Sequence, residues 1–223
     1  MWIIFDLDDT LIDTSGSARP VKLRDALDAM IKAGLPISSR DTYWNSLIEI
    51  DNTAQSGKAT FEKFCSKYHL PPRFHDIAIQ EYYSGMDNIP LKLVPGALDC
   101  LAKLRFKHTL ILVTMGVEED QYKKMIRVGI NPEWFETIII THHYDKAIHY
   151  KHILNSLHVP SSNIVVCGDK FKTDLLPALE LGMWTIHIQW GRGLEAEYTQ
   201  SPHYIVSTLE NVPLIIDEIQ CKP

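Results

Sequence analysis

The feature that most constrains this chain is a short apolar run that ends in a cluster of acids. Trp2-Ile3-Ile4-Phe5 is typical of a buried strand, and Asp6-Leu7-Asp8-Asp9-Thr10 follows directly. In a parallel α/β sheet, ligands bind just beyond the carboxyl ends of the strands. Carboxylates so close together repel one another, and a divalent cation such as Mg²⁺ would hold them. From this run alone, an acidic turn after an edge strand remains the alternative.

Three later apolar runs also indicate strands that end in polar groups. They are Leu110–Val113 before Thr114, Met115 and Gly116, Thr137–Ile140 before Lys146, and Ile164–Cys167 before Asp169 and Asp174. A hydroxyl, flexible backbone amides and a lysine are suitable donors to phosphate oxygens. The two downstream carboxylates extend the acidic set. The four strand ends together predict a site for metal and phosphate.

Two hydrophobic patterns divide the chain. Through residues 15–89 the apolar residues recur at helical spacing, as in Leu23, Ala26 and Leu27, and no strand pattern interrupts them. After Pro90 strand and helix patterns alternate, which indicates a parallel sheet wrapped by helices. We therefore predict an α/β protein whose Rossmann-like core comprises residues 1–14 and 90–223, with residues 15–89 inserted as a helical subdomain.

The strand ends resemble the motifs of the haloacid dehalogenase superfamily, and specifically of its phosphohydrolases. The matching residues are Asp6, Asp8 and Thr10 for the DxDxT motif, Thr114 for the second motif, Lys146 for the third, and Gly168, Asp169 and Asp174 for the fourth. The resemblance covers nearly the whole chain in the right order. It departs from the family at Met115, where Asn is common, and at Ala147, where Pro is common. Lys151 therefore stays a second candidate for the third-motif lysine.

The resemblance implies a phosphohydrolase that cleaves a small phosphomonoester through an aspartyl-phosphate intermediate. Asp6 would be the nucleophile, and Asp8 would protonate the leaving alcohol and then deprotonate the hydrolytic water. Thr114 and Lys146 would hold the phosphoryl oxygens. Asp8 favours phosphoryl chemistry over dehalogenation, because dehalogenase members lack an acid two residues after the nucleophile.

The same resemblance implies a Mg²⁺ site and a cap. The metal would be held by the Asp6 carboxylate, the Asp8 backbone carbonyl and Asp169, with Asp174 acting directly or through water. The inserted helices would form a cap over this site, and such a cap accompanies a small phosphorylated metabolite as substrate. A lid that closes over the metal excludes water and strengthens the electrostatic interactions beneath it.

Several alternatives remain open from the sequence. The chain could instead be a phosphosugar mutase or a phosphonate hydrolase, which belong to the same superfamily. It could also be a catalytically silent member that binds a phosphorylated ligand or a partner protein. Phosphonate hydrolysis would need a Schiff-base lysine from the cap, and the candidates are Lys22, Lys32, Lys58, Lys63 and Lys67. A second metal site is the less favoured use of four histidines, which are His142, His143, His149 and His152.

Composition narrows the class of protein. A net charge of −6 without any basic run gives no electrostatic footprint for nucleic acid. The cysteines lack the CxxC spacing of a zinc site, and acids appear by Asp6, too early for the apolar part of a secretory leader. No apolar stretch approaches the length of a membrane span. We expect a cytoplasmic enzyme with Mg²⁺ as cofactor, whereas the sequence leaves the oligomeric state open.

Overall fold

The computed structural model describes residues 1–36, 40–54, 56–85, 89–143 and 145–222 of the chain. The chain divides into two compact units. Met1–Gly16 and Pro90–Pro223 form the first, which we call the core unit, and Ser17–Ile89 form the second, which we call the helical unit.

The core unit is built on one parallel sheet. Its strands are β1 (Trp2–Phe5), β2 (Thr109–Met115), β3 (Thr137–Thr141), β4 (Ile164–Gly168), β5 (Trp184–Ile188) and β6 (Tyr204–Val206). They pair in the order β3-β2-β1-β4-β5-β6, and every pairing is parallel. This is the strand order of a Rossmann-like, doubly wound sheet. The predicted fold class is confirmed.

Helices surround the sheet in the core unit and make up the helical unit. In chain order they are α1 (Ala18–Lys32), α2 (Arg40–Thr53), α3 (Gly57–Lys67), α4 (Pro72–Tyr82), α5 (Ala97–Leu104), α6 (Glu118–Arg127), α7 (Ala147–Leu157), α8 (Leu176–Glu180) and α9 (Val212–Gln220). Within the residues described, no helix combines the length and the apolar character needed to cross a membrane.

Both faces of the sheet are buried, which explains why its central strands are continuous apolar runs. In β1 the side chains of Ile3 and Phe5 enter one cluster of buried residues, and Ile4 enters another. The first cluster includes residues of α5 and α9, and the second includes residues of α7 and α8. The period of two along each strand therefore divides the core into two layers of packed side chains.

The order of the strands brings two acidic loops together. The sheet extends from β1 towards β3 in one direction and from β4 towards β6 in the other. The loops that leave neighbouring strands at such a reversal diverge and open a crevice at their carboxyl ends. Asp6 follows β1 and Asp169 follows β4, so both acids lie at this crevice.

The helical unit has its own hydrophobic core. α1 packs against α4, and α3 packs against α2 and α4. Phe61 and Phe64 are both fully buried, and burial of a ring of this size contributes about 1.5–3 kcal/mol. The unit also contains a buried ion pair between Arg19 and Asp51, whose carboxylate accepts a hydrogen bond of 2.8 Å from Thr60 Oγ1.

The core unit is closed by backbone hydrogen bonds where the chain leaves and re-enters it. The Asp13 N–H donates to the Lys92 carbonyl at 2.9 Å, and the Val94 N–H donates to the Leu11 carbonyl at 3.0 Å. Ile12 and Leu93 form an antiparallel bridge between them. The two ends of the helical insertion are thus joined within the core unit itself.

Candidate active site

A tight turn after β1 directs the first acids to different neighbours. The N–H groups of Leu11 and Ile12 both donate to the Leu7 carbonyl, at 2.9 and 3.0 Å. Leu7 and Leu11 are fully buried and anchor the turn in the core. Asp9 adopts a left-handed conformation, with φ of 59°. Acids that are adjacent in sequence therefore enter separate clusters.

Three buried carboxylates meet beside one lysine. Each of Asp6, Asp169 and Asp174 has a carboxylate oxygen within 4.8 Å of the others. Lys146 Nζ lies 2.6 Å from Asp6 Oδ1 and 2.8 Å from Asp174 Oδ1. We call these four residues the acid cluster. All four are at least nine-tenths buried, so solvent screens their charges little.

The close approach of Asp174 to β4 depends on a local irregularity and on a glycine. Phe171–Leu175 forms one turn of π-helix, a form that is rare and often found at functional sites. The turn brings Asp174 back so that its Oδ2 accepts the Lys170 N–H at 3.0 Å. A β-carbon on Gly168 would lie 2.6 Å from Asp174 Cβ, which is closer than real contacts allow. Glycine at this position therefore permits the cluster to form.

Burial dominates the electrostatics of the acid cluster. It raises the pKa of Asp6 to about 6, with Lys146 opposing the rise and Asp174 adding to it. Burial also raises the pKa of Asp169 well above its usual value, with Lys170 opposing the rise and Asp174 adding to it. For Lys146, burial disfavours the charge, but Asp174 and Asp6 outweigh it and raise its pKa. The lysine is therefore held protonated.

The acid cluster has the donor set of a divalent-cation site. Both carboxylate oxygens of Asp169 are buried, and no hydrogen-bond partner for them lies in the described part of the chain. A buried carboxylate without donors is costly unless a cation compensates it. Lys146 brings one positive charge to three carboxylates. A divalent cation bound through oxygens would supply the missing charge, so these residues fit such an ion.

Asp8 belongs to a different cluster. Its carboxylate accepts hydrogen bonds from Thr14 Oγ1 at 2.5 Å, Gln121 Nε2 at 3.1 Å and Lys124 Nζ at 2.8 and 2.9 Å. We call these four residues the Asp8 cluster. Burial would raise the pKa of Asp8, but Lys124 and the hydrogen bonds outweigh it and lower the pKa to about 2. Asp8 is therefore held as a carboxylate.

Gln121 links the Asp8 cluster to Thr114. Besides Asp8, its amide donates to Thr114 Oγ1 at 2.8 Å and to the Met115 carbonyl at 3.1 Å. Because Thr114 is the acceptor here, its hydroxyl proton remains available for another group. The Gly116 N–H donates to the Thr141 carbonyl at 3.0 Å, so the protein already uses this amide. Of Thr114, Met115 and Gly116, which we expect to bind phosphate, Thr114 has the donor group best able to bind it.

The remaining candidates from the sequence lie elsewhere. Lys151 is exposed, whereas Lys146 belongs to the acid cluster and contacts Asp6. Thr10 is fully buried beneath the β1 turn. Among the described residues, the acid-cluster carboxylates are the group of metal-ligating side chains that the structure brings together. That group includes none of the four histidines considered from the sequence, which are His142, His143, His149 and His152.

The loop after β5 supports the β1 turn. Trp190 Nε1 donates to Asp13 Oδ1 at 2.8 Å. Asp9 accepts hydrogen bonds from Ser15, and a β-carbon on Gly191 would lie 2.5 Å from the Asp9 carboxyl carbon. Asp9 and Asp13 thus both have hydrogen-bond partners within the core unit.

Sequence reasoning missed Gln121 and Lys124. Both lie on α6, which begins Glu118-Glu119-Asp120 and has the polar pattern of a solvent-facing helix. The available signal was their spacing of three residues, which places them on one face of the helix. Gln121 is almost fully buried on that face. A buried glutamine next to a strand that ends in a proposed phosphate ligand is a candidate for hydrogen bonding in the site.

Comparison with known proteins identifies one matching family and related proteins that are named as phosphatases. The model of a family, the haloacid dehalogenase-like hydrolases, matches residues 3–188 of the chain. A glyceraldehyde 3-phosphate phosphatase of Pyrococcus furiosus is 27% identical over 225 residues, covering 96% of this chain and 92% of that protein. An N-acylneuraminate-9-phosphatase of Rattus norvegicus is 26% identical, covering 99% of this chain and 95% of its own.

Solved structures share the fold. The HAD-hydrolase YfnB of Bacillus subtilis, solved bound to magnesium, has a TM-score of 0.68 at 19% identity and covers 97% of this chain and 98% of its own. CbbY of Rhodobacter sphaeroides, solved in complex with phosphate, has a TM-score of 0.65 at 19% identity, with 95% of each chain covered.

Proposed function

The chain belongs to the haloacid dehalogenase-like hydrolases, and on that premise we propose that it is a Mg²⁺-dependent phosphatase that cleaves a small phosphomonoester through an aspartyl-phosphate intermediate. Its relatives named glyceraldehyde 3-phosphate phosphatase and N-acylneuraminate-9-phosphatase support phosphatase activity. The observation that carries the proposal is the acid cluster. In it the buried carboxylate of Asp169 has no hydrogen-bond donor among the described residues, and Lys146 contacts Asp6.

The residues of the acid cluster would hold Mg²⁺ and activate the nucleophile. Asp6, Asp169 and the Asp8 backbone carbonyl would be ligands, and Asp174 would bind directly or through water. When bound, the ion supplies charge that offsets the repulsion between a carboxylate and a phosphate dianion. Lys146 contributes to the same neutralisation, since its ammonium contacts the Asp6 oxygen.

The reaction would proceed in two displacements at phosphorus. A carboxylate oxygen of Asp6 bonds to phosphorus as the bond between phosphorus and the alcohol oxygen breaks. The leaving alcohol oxygen takes a proton from Asp8. Water then attacks the same phosphorus, its proton passes to Asp8, and the bond to Asp6 breaks. Thr114 and Lys146 would donate to the phosphoryl oxygens throughout. The products are the alcohol and inorganic phosphate.

The environment of Asp8 makes the two halves of this reaction unequal. Because Lys124 lowers the pKa of Asp8 to about 2, the side chain is ionised, as a group that accepts a proton from water in the second half must be. It must first gain a proton to protonate an alcohol in the first half. Poor leaving groups would therefore depend on Asp8 more strongly than good ones.

We further propose that residues 15–89, which include the helical unit Ser17–Ile89, form a cap that selects the substrate, and that the enzyme acts in the cytoplasm. The substrate class is a small hydroxylated phosphomonoester, of which glyceraldehyde 3-phosphate and N-acylneuraminate 9-phosphate are the first to test. Nothing observed favours the phosphonate hydrolase. Lys22 is buried and donates to backbone carbonyls of Ser84 and Gly85, and the other candidate lysines of the helical unit are exposed.

Hydrolysis of p-nitrophenyl phosphate with Mg²⁺ and with EDTA tests the proposal. We expect metal-dependent turnover that Asp6→Asn reduces by at least about 10³-fold. Asp99→Asn is the matched control, because Asp99 is an exposed acid on α5. Borohydride reduction of acid-quenched enzyme should convert a phosphorylated Asp6 to homoserine, which mass spectrometry detects. Full activity in EDTA, or in Asp6→Asn, would contradict the proposal. If turnover depends on the metal and on Asp6, hydrolysis of glyceraldehyde 3-phosphate and of N-acylneuraminate 9-phosphate is measured next to define the substrate specificity.

A further inference from the structure

His187 is a buried polar side chain in β5 that the proposed reaction does not use. It is fully buried, and both of its ring nitrogens are within hydrogen-bond distance of a partner. Nε2 lies 2.7 Å from the backbone carbonyl oxygen of Asp169, and Nδ1 lies 2.6 Å from the hydroxyl of Tyr198. The histidine therefore connects Tyr198 to the backbone of Asp169, the residue of the acid cluster whose carboxylate has no donor among the described residues.

The chemistry of the partners determines the direction of this chain of hydrogen bonds. A carbonyl oxygen can only accept, so Nε2 of His187 must carry the proton. With the proton on Nε2, Nδ1 is the acceptor nitrogen of the ring, and the Tyr198 hydroxyl 2.6 Å away is a group that can donate to it. Tyr198 must therefore donate to Nδ1. The protons are ordered from Tyr198 through His187 to the Asp169 carbonyl.

Tyr198 also packs against the other end of the loop that holds the acids. Its ring contacts Phe171 edge-on, with centroids 5.2 Å apart, and contacts the His187 ring at 5.5 Å. Phe171 begins the π-helical turn that carries Asp174. Tyr198 thus packs on that turn directly and is connected to Asp169 by two hydrogen bonds through His187.

The Asp169 carbonyl is enclosed from a second side. A β-carbon on Gly193 would lie 2.5 Å from the Asp169 carbonyl oxygen and 3.0 Å from His187 Nε2. The backbone at Gly193 therefore packs directly against the hydrogen bond between them. With contacts on two sides, the peptide group of Asp169 has little freedom to rotate, and its side chain stays in the acid cluster.

We propose that His187 and Tyr198 are positioning residues of the metal site, which fix the backbone of Asp169 so that its unpartnered carboxylate is ready to bind the cation. This inference rests on the proposed function, because it takes the acid cluster as a Mg²⁺ site. Partners that orient a ligand in this way typically change metal affinity by about 10–100-fold when they are removed.

Calorimetric titration of the full chain with Mg²⁺ tests the inference. Tyr198→Phe removes one oxygen and keeps the ring that packs on Phe171. We expect the Kd for Mg²⁺ to rise by about tenfold, with kcat at saturating Mg²⁺ changed by less than about twofold. Tyr204→Phe is the matched control, since the Tyr204 hydroxyl is exposed on β6 and donates to Glu218 at 2.7 Å. That variant should bind Mg²⁺ as the wild type does.

A second pair of variants tests the donor itself. His187→Phe keeps a planar ring but has no N–H for the Asp169 carbonyl, so it should lose at least as much affinity as Tyr198→Phe. His187→Gln offers an amide donor and should recover part of the loss. Nitrogen-15 NMR of the wild type without metal should show the His187 proton on Nε2. This readout does not depend on activity or on overall stability.

The outcomes separate the inference from the proposed function. Mg²⁺ affinity in Tyr198→Phe equal to that in Tyr204→Phe, or a His187 proton on Nδ1, would overturn the inference alone. A wild type that binds no Mg²⁺ would overturn the inference and the proposed function together. If Tyr198→Phe proves unstable, the affinity difference between His187→Phe and His187→Gln supports or overturns the inference in its place.

Discussion

Asp8 and Asp169 are acids that follow neighbouring strands of the same sheet, but their surroundings differ: the Asp8 side chain is 25% exposed, whereas Asp169 is fully buried. Asp8 accepts hydrogen bonds from Thr14, Gln121 and Lys124, and its pKa is lowered to about 2. The carboxylate of Asp169 has no hydrogen-bond donor in the described part of the chain, and its pKa is raised. A carboxylate that the fold has already paired is stable without a ligand, whereas one left without donors marks where a cation from outside is needed.

The largest effect should come from removing each carboxylate in turn. Asp169→Asn should reduce hydrolysis of a phosphomonoester by at least about 10²-fold and abolish Mg²⁺ binding measured by calorimetry, because it removes a charged ligand. Asp8→Asn should reduce hydrolysis by about 10²–10⁴-fold but retain Mg²⁺ binding, because its side chain serves proton transfer. Equal loss of Mg²⁺ binding in both variants would remove the distinction between the two clusters.

The same two clusters should affect stability in opposite directions without metal. Asp169→Asn should raise the free energy of unfolding by about 1–2 kcal/mol, because it replaces an uncompensated buried charge with a neutral amide. Lys124→Met should lower it by about 1–2 kcal/mol, because Asp8 loses its cation. Urea unfolding in EDTA near pH 7.5 measures both. Lys123→Met is the control for loss of a lysine, because Lys123 is a half-buried residue of α6 whose ion pair is with Glu119 and not with Asp8.

The pH dependence of these differences should separate the clusters further. The pKa of Asp8 is depressed from 3.8 to about 2, so its stabilising contribution is present above about pH 4 and is lost as pH falls through about 2. The pKa of Asp169 is raised, so its cost is absent below about pH 4 and grows as pH rises. At about pH 4 the Lys124→Met deficit should persist while the Asp169→Asn gain has disappeared. The reverse pattern in unfolding measurements would contradict both assignments.

The smallest effect should come from Gln121, which connects the Asp8 cluster to Thr114. Gln121→Met keeps the length of the side chain and removes its donors to both residues. Asp8 keeps its hydrogen bonds from Thr14 and Lys124, so the main loss is the neutral hydrogen bond to Thr114. Loss of a neutral hydrogen bond costs about 0.5–1.5 kcal/mol, which corresponds to a decrease in kcat of about twofold to twelvefold. Gln80→Met, at an exposed position of α4, should leave kcat unchanged. A change beyond a hundredfold would assign Gln121 a more direct role.

The sheet and its acidic strand ends could be predicted because their signals are local in sequence. Each central strand is an apolar run with a polar group at its carboxyl end, as in Ile164–Gly168 before Asp169. The roles assigned to Asp6, Thr114, Lys146 and the cap remain proposals from the family resemblance, although the structure brings Lys146 to Asp6.

The partners of these acids could not be predicted because they come from distant segments with ordinary local patterns. Lys124 is 116 positions from Asp8 in sequence and lies on a strongly polar helix. His187 is one of two polar residues in the short strand β5, and Tyr198 lies in an irregular segment after it. The residues that set protonation and orientation are therefore determined by tertiary packing, which the hydrophobic periodicity does not specify.

The backbone hydrogen bonds between residues 11–13 and 92–94 have a consequence for how this architecture can change. Because Ile12 and Leu93 already pair, the ends of the insertion are fixed beside each other whatever the intervening segment folds into. Closing a loop of almost any length at this point costs little additional entropy, since the cost rises only with the logarithm of length. The core can thus exchange, lengthen or lose its inserted helices while the geometry of the acid cluster is preserved.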